Sequence, residues 1–406
     1  MVTQVRLPAL RLFIVGALCL LSTLVMGQQR PPGGGPGGPG GPGGTPVGGL
    51  TPAERQAFAE GNRAFGKEYT AAEGLGPVFN DDSCAACHRG GGGSNRTVTR
   101  FGRVDRAGLF DPIPERGGSL VQARAIGSVT TPDGTHVFRG ERVPPEATVQ
   151  ALRRSTSLMG LGFVDAVPDE AWLALAASER VLDPATAGRA HMVFDPATGA
   201  TAVGKFGWKA QVTSLLGFSG DALLNEIGIT SPRFRDEVCP QGDCLSLGFN
   251  PAPALNDDGR DASALTDFMT LLAPPQRGAT SDRVAAGERV FADLGCAQCH
   301  RADLQTGPSR VAALSRTVFH PYSDFLLHDM GSLGDGISQG QASGTEIRTA
   351  PLWGLRDADR LLHDGSAATI EDAIRRHDGQ GRSARERFEA LDAGRLGLLL
   401  EFLRSL

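Results

Sequence analysis

No apolar run in this chain reaches the roughly 20 residues that a membrane-spanning helix needs. The longest, 12–26, stops short of that. No Lys/Arg cluster stands out against a net charge of -5, so nucleic acid is not an expected partner. Strand-like alternation is scarce, and little β structure is expected. Histidine is in short supply at 8 residues, so each is worth following individually.

What the chain does have is ordered along its length. Arg6 and Arg11 border the 12–26 apolar run and small Gly27 follows it, the layout of a secretory signal peptide over 1–27. An exported, periplasmic protein with no stable span after cleavage is therefore expected. Residues 28–50 are dominated by Pro and Gly and read as a flexible linker. The remaining length suits two domains, placed at 51–275 and 276–406 with Ala273-Pro274-Pro275 as the stop.

Two strings read CxxCH: CAACH at 84–88 and CAQCH at 296–300. This is the attachment pattern of a c-type haem, in which two cysteine sulfurs bond the porphyrin and the adjacent histidine ligates iron. Cys84, Cys87, Cys296 and Cys299 are thus expected to hold two covalent haems, with His88 and His300 as iron ligands. Thioredoxin-type or zinc readings of CxxC do not require a histidine directly after the second cysteine. Of the other cysteines, Cys19 leaves with the signal, and Cys239 and Cys244 sit close together in CPQGDC. In an oxidising compartment that pair is most simply a disulfide.

Three short matches recur in the same order around the two motifs. Gly61, Arg63 and Phe65 match Gly287, Arg289 and Phe291; RSTSLMGL from Arg154 matches RTAPLWGL from Arg348; DFMTLL from Asp267 matches EFLRSL from Glu401. Leu265, Phe268, Met269 and Leu272, and likewise Leu396, Leu399, Phe402, Leu403 and Leu406, have helical spacing. The expected fold is mainly α, two cytochrome c-like haem domains in tandem, the first enlarged by insertions. Arg154 and Arg348, at equivalent repeat positions, would suit haem propionates, and Lys209 could serve likewise.

GLGPVFNDDSCAACHRGGG, KFGWKA, ALLNEIGITSP, PYSDFLLHDMG, RTAPLWGL and LLHDGSAATIEDAIRRHDG together resemble the dihaem oxidoreductase family, with its peroxidase-like and thiol oxidoreductase-like members, from about residue 51 onward. More faintly, they are similar to bacterial dihaem cytochrome c peroxidases and to the dihaem enzyme that matures methylamine dehydrogenase. The resemblance implies a periplasmic enzyme in which one haem activates peroxide while the other passes electrons. It makes Trp208 the indole between the haems and Glu226 the acid/base that moves a proton during O–O cleavage. Counting on from His363-Asp364-Gly365 makes His377 the far ligand of the C-terminal haem. Met330 is the main alternative, with His320, His328 and His363 also open.

For the N-terminal haem only His136 and His191 remain among histidines, with Met159 and Met192 as softer options; an open site is favoured. The expected activity is peroxide reduction at the N-terminal haem. Electrons would come through the C-terminal haem from a small donor protein, such as a monohaem cytochrome or cupredoxin. Oxidation of an organic substrate, or electron carriage without catalysis, are the alternatives.

Overall fold

The computed structural model describes residues 44–406 apart from 95 and 196–197. The expected signal peptide and most of the linker lie outside the described residues. The described residues are mixed, 37% helical and 17% strand. Among them ten α-helices run in order: α1 (Pro52–Phe65), α2 (Cys84–Cys87), α3 (Leu161–Asp165), α4 (Asp169–Leu182), α5 (Leu215–Ala222), α6 (Arg260–Leu271), α7 (Asp282–Asp293), α8 (Ile370–Arg375), α9 (Arg382–Glu389) and α10 (Ala393–Leu403).

Two helix pairs reproduce the sequence repeat. Thr51 caps α1 in a reciprocal box with Glu54, and Pro52 occupies the first turn where its missing N–H costs nothing. Phe58, Gly61 and Phe65 are the buried residues of α1 and pack on α6 through Phe268. α7 repeats the arrangement: Ser281 accepts from Val284 N, and Phe291 packs on Phe402 of α10. The glycines let the backbones meet. A Cβ at Gly61 would lie 2.3 Å from Ala264 O, and one at Gly287 would lie 2.1 Å from Leu398 O.

The strand content lies in short antiparallel pieces rather than in one large sheet. Thr97–Val104 pairs with Val149–Arg154 in a three-stranded sheet. The alternation of side chains sends Arg153 and Arg154 to opposite faces. A hairpin of His191–Asp195 with Ala200–Gly204 leads into the segment that carries Trp208. Leu327–Asp329 pairs with Glu346–Arg348, setting His328 opposite Ile347 and Leu327 opposite Arg348.

The larger core gathers α1, α5 and α6 with Val311, Leu314, Phe319, Phe325 and Trp353; a second core gathers α7 and α10 with Tyr322 and Phe388. The end of the expected linker is not loose. Val47 and Leu50 are buried, Val47 N donates to Leu271 O, and Ala273 N donates to Thr45 O. Two apolar side chains at the end of a Pro/Gly run suffice to dock it beside α6.

Candidate functional site

At the first motif, α2 is a single turn that ends as His88 N donates to Cys84 O at 3.0 Å, and Gly90 and Gly91 turn the chain away with positive φ. Burial pushes the Cys84 thiol up to about 12 and the His88 imidazole down to about 4, so the ring is neutral at physiological pH, as a metal ligand must be. Cys87 lies within electrostatic reach of Asp81, Arg96 and Glu226.

Glu226 arrives there on a π-helical turn, Leu223–Ile227, a wide turn often found at functional sites. Asn80 Nδ2 donates to its Oε2 at 2.7 Å, while Asn80 N donates to its carbonyl at 2.8 Å. Burial pushes this carboxyl up; Asn80 and Arg100 pull it back, and neighbouring Asp221 adds to the rise.

The second motif forms a 3-10 turn, Cys296–Gln298, entered through Gly295 in a left-handed conformation. His300 Nδ1 lies 3.1 Å from Tyr322 O, and His377 Nδ1 lies 2.9 Å from Ala373 O. Carbonyls only accept, so both rings carry their proton on Nδ1 and keep the Nε2 lone pair. The ring centroids are 6.4 Å apart. Two metal–nitrogen bonds of about 2 Å each, plus the two ring radii, come to about 6 Å. One iron between the rings fits that gap. Burial pushes His300 down to about 4, with His377 adding to the effect, and burial likewise lowers His377.

Both rings line a cavity of about 750 Å³, within the range of cofactor sites. Cys296, Cys299, Trp208, Arg154 and Arg348 also face it, and it extends to Arg89, Gly92 and Gly93, just past the first motif. Among the described residues no carboxylate pairs with Arg154 or Arg348, although Arg348 is only 4% exposed and burial pushes its guanidinium down to about 10. Its Nε and Nη1 donate to the carbonyls of Gly207 and Thr349, and Asp324 lies within electrostatic reach; a guanidinium with no direct ion pair, lining a cavity, suits an anionic ligand edge such as a propionate. The residues therefore fit a haem at the second motif.

Trp208 bridges the two repeat-equivalent arginines: its Nε1 donates to Arg154 O at 2.9 Å, and its carbonyl accepts from Arg348 N at 2.8 Å. Lys209 turns the other way. Its fully buried ammonium contacts the carbonyls of Ser343, Gly344 and Glu346, and Asp335 Oδ1 at 3.1 Å, so it is not available to the cavity. Asp335 also pairs with Arg153 at 2.6 Å; sequence spacing gave no sign of this network.

The other candidate ligands are accounted for. His320 is exposed and pairs with Asp303, whereas His328 is buried between Asp324 and Cys299. His363 and Met330 line the cavity, His363 edge-on to Trp208 at 6.2 Å. His136 stacks on Phe249 in a hairpin, and His191 uses both nitrogens, toward Lys209 O and Gln341 N. Met159 lines the cavity and Met192 packs on the larger core. Cys239 and Cys244 are bridged.

Paired imidazoles, a CxxCH turn and two arginines without salt bridges around one cavity, with a second CxxCH turn close to its edge, define a haem-binding redox protein. The family model described as "di-haem oxidoreductase, putative peroxidase" matches residues 145–406, and the chain belongs to this family of two-haem oxidoreductases. No curated protein matches it. Among solved structures it is similar to the diheme peroxidase BthA of Burkholderia thailandensis, at 16% identity over 89% of this chain and 87% of that one, TM-score 0.40. It is also similar to a MauG-like protein associated with microbial copper homeostasis, at 14% identity over 90% and 92%, TM-score 0.35. Hydrazine synthase of Kuenenia stuttgartiensis is similar at 16% identity over 63% and 73%, TM-score 0.35. At these scores none of the three lends its chemistry to this chain. No helix among the described residues is long and apolar enough to cross a membrane.

Proposed function

We propose that the chain is an exported c-type dihaem oxidoreductase that reduces peroxide at the haem of His88, with electrons relayed through the haem of His300 from a small electron-donor protein. The observation that carries this reading is the inequality of the two histidines. His300 has a partner imidazole, His377, at the spacing of two ligands on one iron, whereas His136 and His191 are engaged away from His88.

When bound, the haems supply the iron chemistry: an accessible iron can activate peroxide, and a capped one transfers electrons. Cys84 and Cys87 hold one porphyrin, Cys296 and Cys299 the other. Arg154 and Arg348 receive carboxylate edges. Glu226, its carboxyl pushed up by burial, is the group that would pass a proton to a leaving oxygen, while Asn80 fixes the orientation of Oε2. Trp208 stands in the cavity wall between the two arginines and offers an indole on the route between the motifs.

Electron paramagnetic resonance of the oxidised, fully matured protein tests the proposal. One high-spin iron that responds to peroxide and cyanide, beside one low-spin iron that does not, is expected. Two low-spin irons indifferent to both would make the protein an electron carrier. Turnover that consumes dioxygen instead of peroxide would make it an oxidase or oxygenase of an organic substrate.

A further inference from the structure

Behind Cys299 lies a buried chain of groups that the proposed reaction leaves unused. Tyr322 and Phe325 both take positive φ, which folds residues 322–328 back on the CAQCH turn, and Asp324 N donates to Cys299 O at 2.9 Å. Asp324 is 0% exposed and His328 2%. His328 Nε2 lies 2.8 Å from Asp324 Oδ2, and its Nδ1 lies 3.5 Å from Cys299 Sγ. The ring is clamped from a third side: a Cβ at Gly188 would meet its Nε2 at 2.6 Å.

The sulfur, the imidazole and the carboxylate fall within 4.8 Å of one another, which is also the donor set of a metal site. CAQCH commits that sulfur to porphyrin, however. A thioether sulfur is a weak acceptor, and the group presented to it is an N–H whose far side rests on a carboxylate. Burial opposes a charge on this ring, yet Asp324 holds the imidazole protonated well above the ordinary histidine range.

Resting on the assignment of Cys299 to haem attachment, we propose that His328 is a positioning residue of the C-terminal haem. It donates Nδ1–H to the Cys299 thioether and, with Asp324 behind it, turns the positive end of a buried ion pair toward the porphyrin edge. In so dry a setting a nearby positive charge favours the state with one electron more. Two imidazole ligands push the other way, toward low potential. The dyad thus keeps the relay haem reducible by a donor.

The test is spectroelectrochemical, on mature protein, with a mediator supplying the electron. The variants are His328→Leu, which removes donor and charge; His328→Gln, which keeps a donor; and Asp324→Asn, which removes the counter-charge that orients the ring. At the wild-type midpoint, the reduced-to-oxidised ratio of the low-spin haem should fall about tenfold in His328→Leu, equivalent to about 59 mV for one electron. The fall should be smaller in His328→Gln, while the high-spin haem ratio stays unchanged in both.

Should His328→Leu fail to retain two haems, His328→Gln and Asp324→Asn decide the matter. Ratios within twofold of wild type in every variant that retains both haems overturn the proposal. Peptide mass spectrometry of the wild type keeps the two failures apart. Unmodified Cys299 overturns the attachment assignment, whereas modified Cys299 with unmoved ratios overturns the role of His328 alone.

Discussion

Replacing Gly287 with alanine sets a small helix-propensity gain against a hard clash. The new Cβ would sit 2.1 Å from Leu398 O and 2.7 Å from Phe402 Cβ, where unstrained contacts are about 3.5–4.0 Å. Leu399 and Phe402 on the facing helix are wholly buried, so α10 can move only by disturbing its own core. Alanine in a helix interior gains about 0.5–1 kcal/mol over glycine, and overpacking a well-filled core costs about 1–3 kcal/mol. With a clash this severe the upper part of that range applies, leaving a net loss of about 1.5–2.5 kcal/mol. Gly61→Ala should lose a similar amount, because its Cβ would meet Ala264 O at 2.3 Å and Phe268 Cβ at 2.7 Å. Gly397 supplies the control: it lies in α10 with nothing within 4 Å of its Cβ position, so Gly397→Ala should stabilise by about 0.5–1 kcal/mol. Urea melts of the mature protein, followed by circular dichroism, measure all three. If Gly287→Ala proves as stable as Gly397→Ala, the close helix contact is wrong.

Glu226→Gln keeps an acceptor for Asn80 but cannot hold a transferable proton; peroxide turnover should fall about 10²–10⁴-fold, and a loss under threefold removes Glu226 from the chemistry. Glu346 is bound in a fork by Arg189. Burial acts against its charge, but Arg189 and Ser343 N hold the carboxyl down to about 2. A lowered carboxyl pKa gives stability that is present above its unfolded value of about 4.3 and is lost as pH falls toward 2. Arg189→Gln should therefore cost about 1–2 kcal/mol at pH 7, and the gap from wild type should narrow in urea melts at pH 3; a pH-independent gap refutes the pairing. Removing the Cys239–Cys244 bridge opens a ring that holds Gln241, whose N–H donates to Glu141. The loss should be at most about 2 kcal/mol, seen as faster hydrogen exchange at Gln241 with little change in the global melt.

The helix pairs were legible because both signals are local. Thr51 and Glu54 stand three apart as a capping box, and the Gly-Arg-Phe string of each opening helix recurs at the same offset. The CxxCH turns were legible for the same reason, and the family resemblance singled out His377, whose ring lies 6.4 Å from that of His300. The Arg153–Asp335 pair joins residues 182 apart in sequence, and no spacing rule spans that distance. His328 was hidden differently. Its approach to Cys299 depends on left-handed backbone at Tyr322 and Phe325, residue types that give no hint of such a turn. Strands such as Leu327–Asp329 are three residues long, too short to show alternation, so the sheet content stayed faint in the sequence.

The frame around Trp208 is largely main-chain: its N–H reaches the carbonyl of Arg154 and its own carbonyl receives the amide of Arg348. Backbone atoms survive any ordinary substitution at those two positions. At Arg154 the guanidinium can therefore be exchanged, to alter what the cavity grips, while the indole keeps its anchor; at Arg348 the guanidinium also donates to Gly207 O, so there anion recognition and indole placement are tied together.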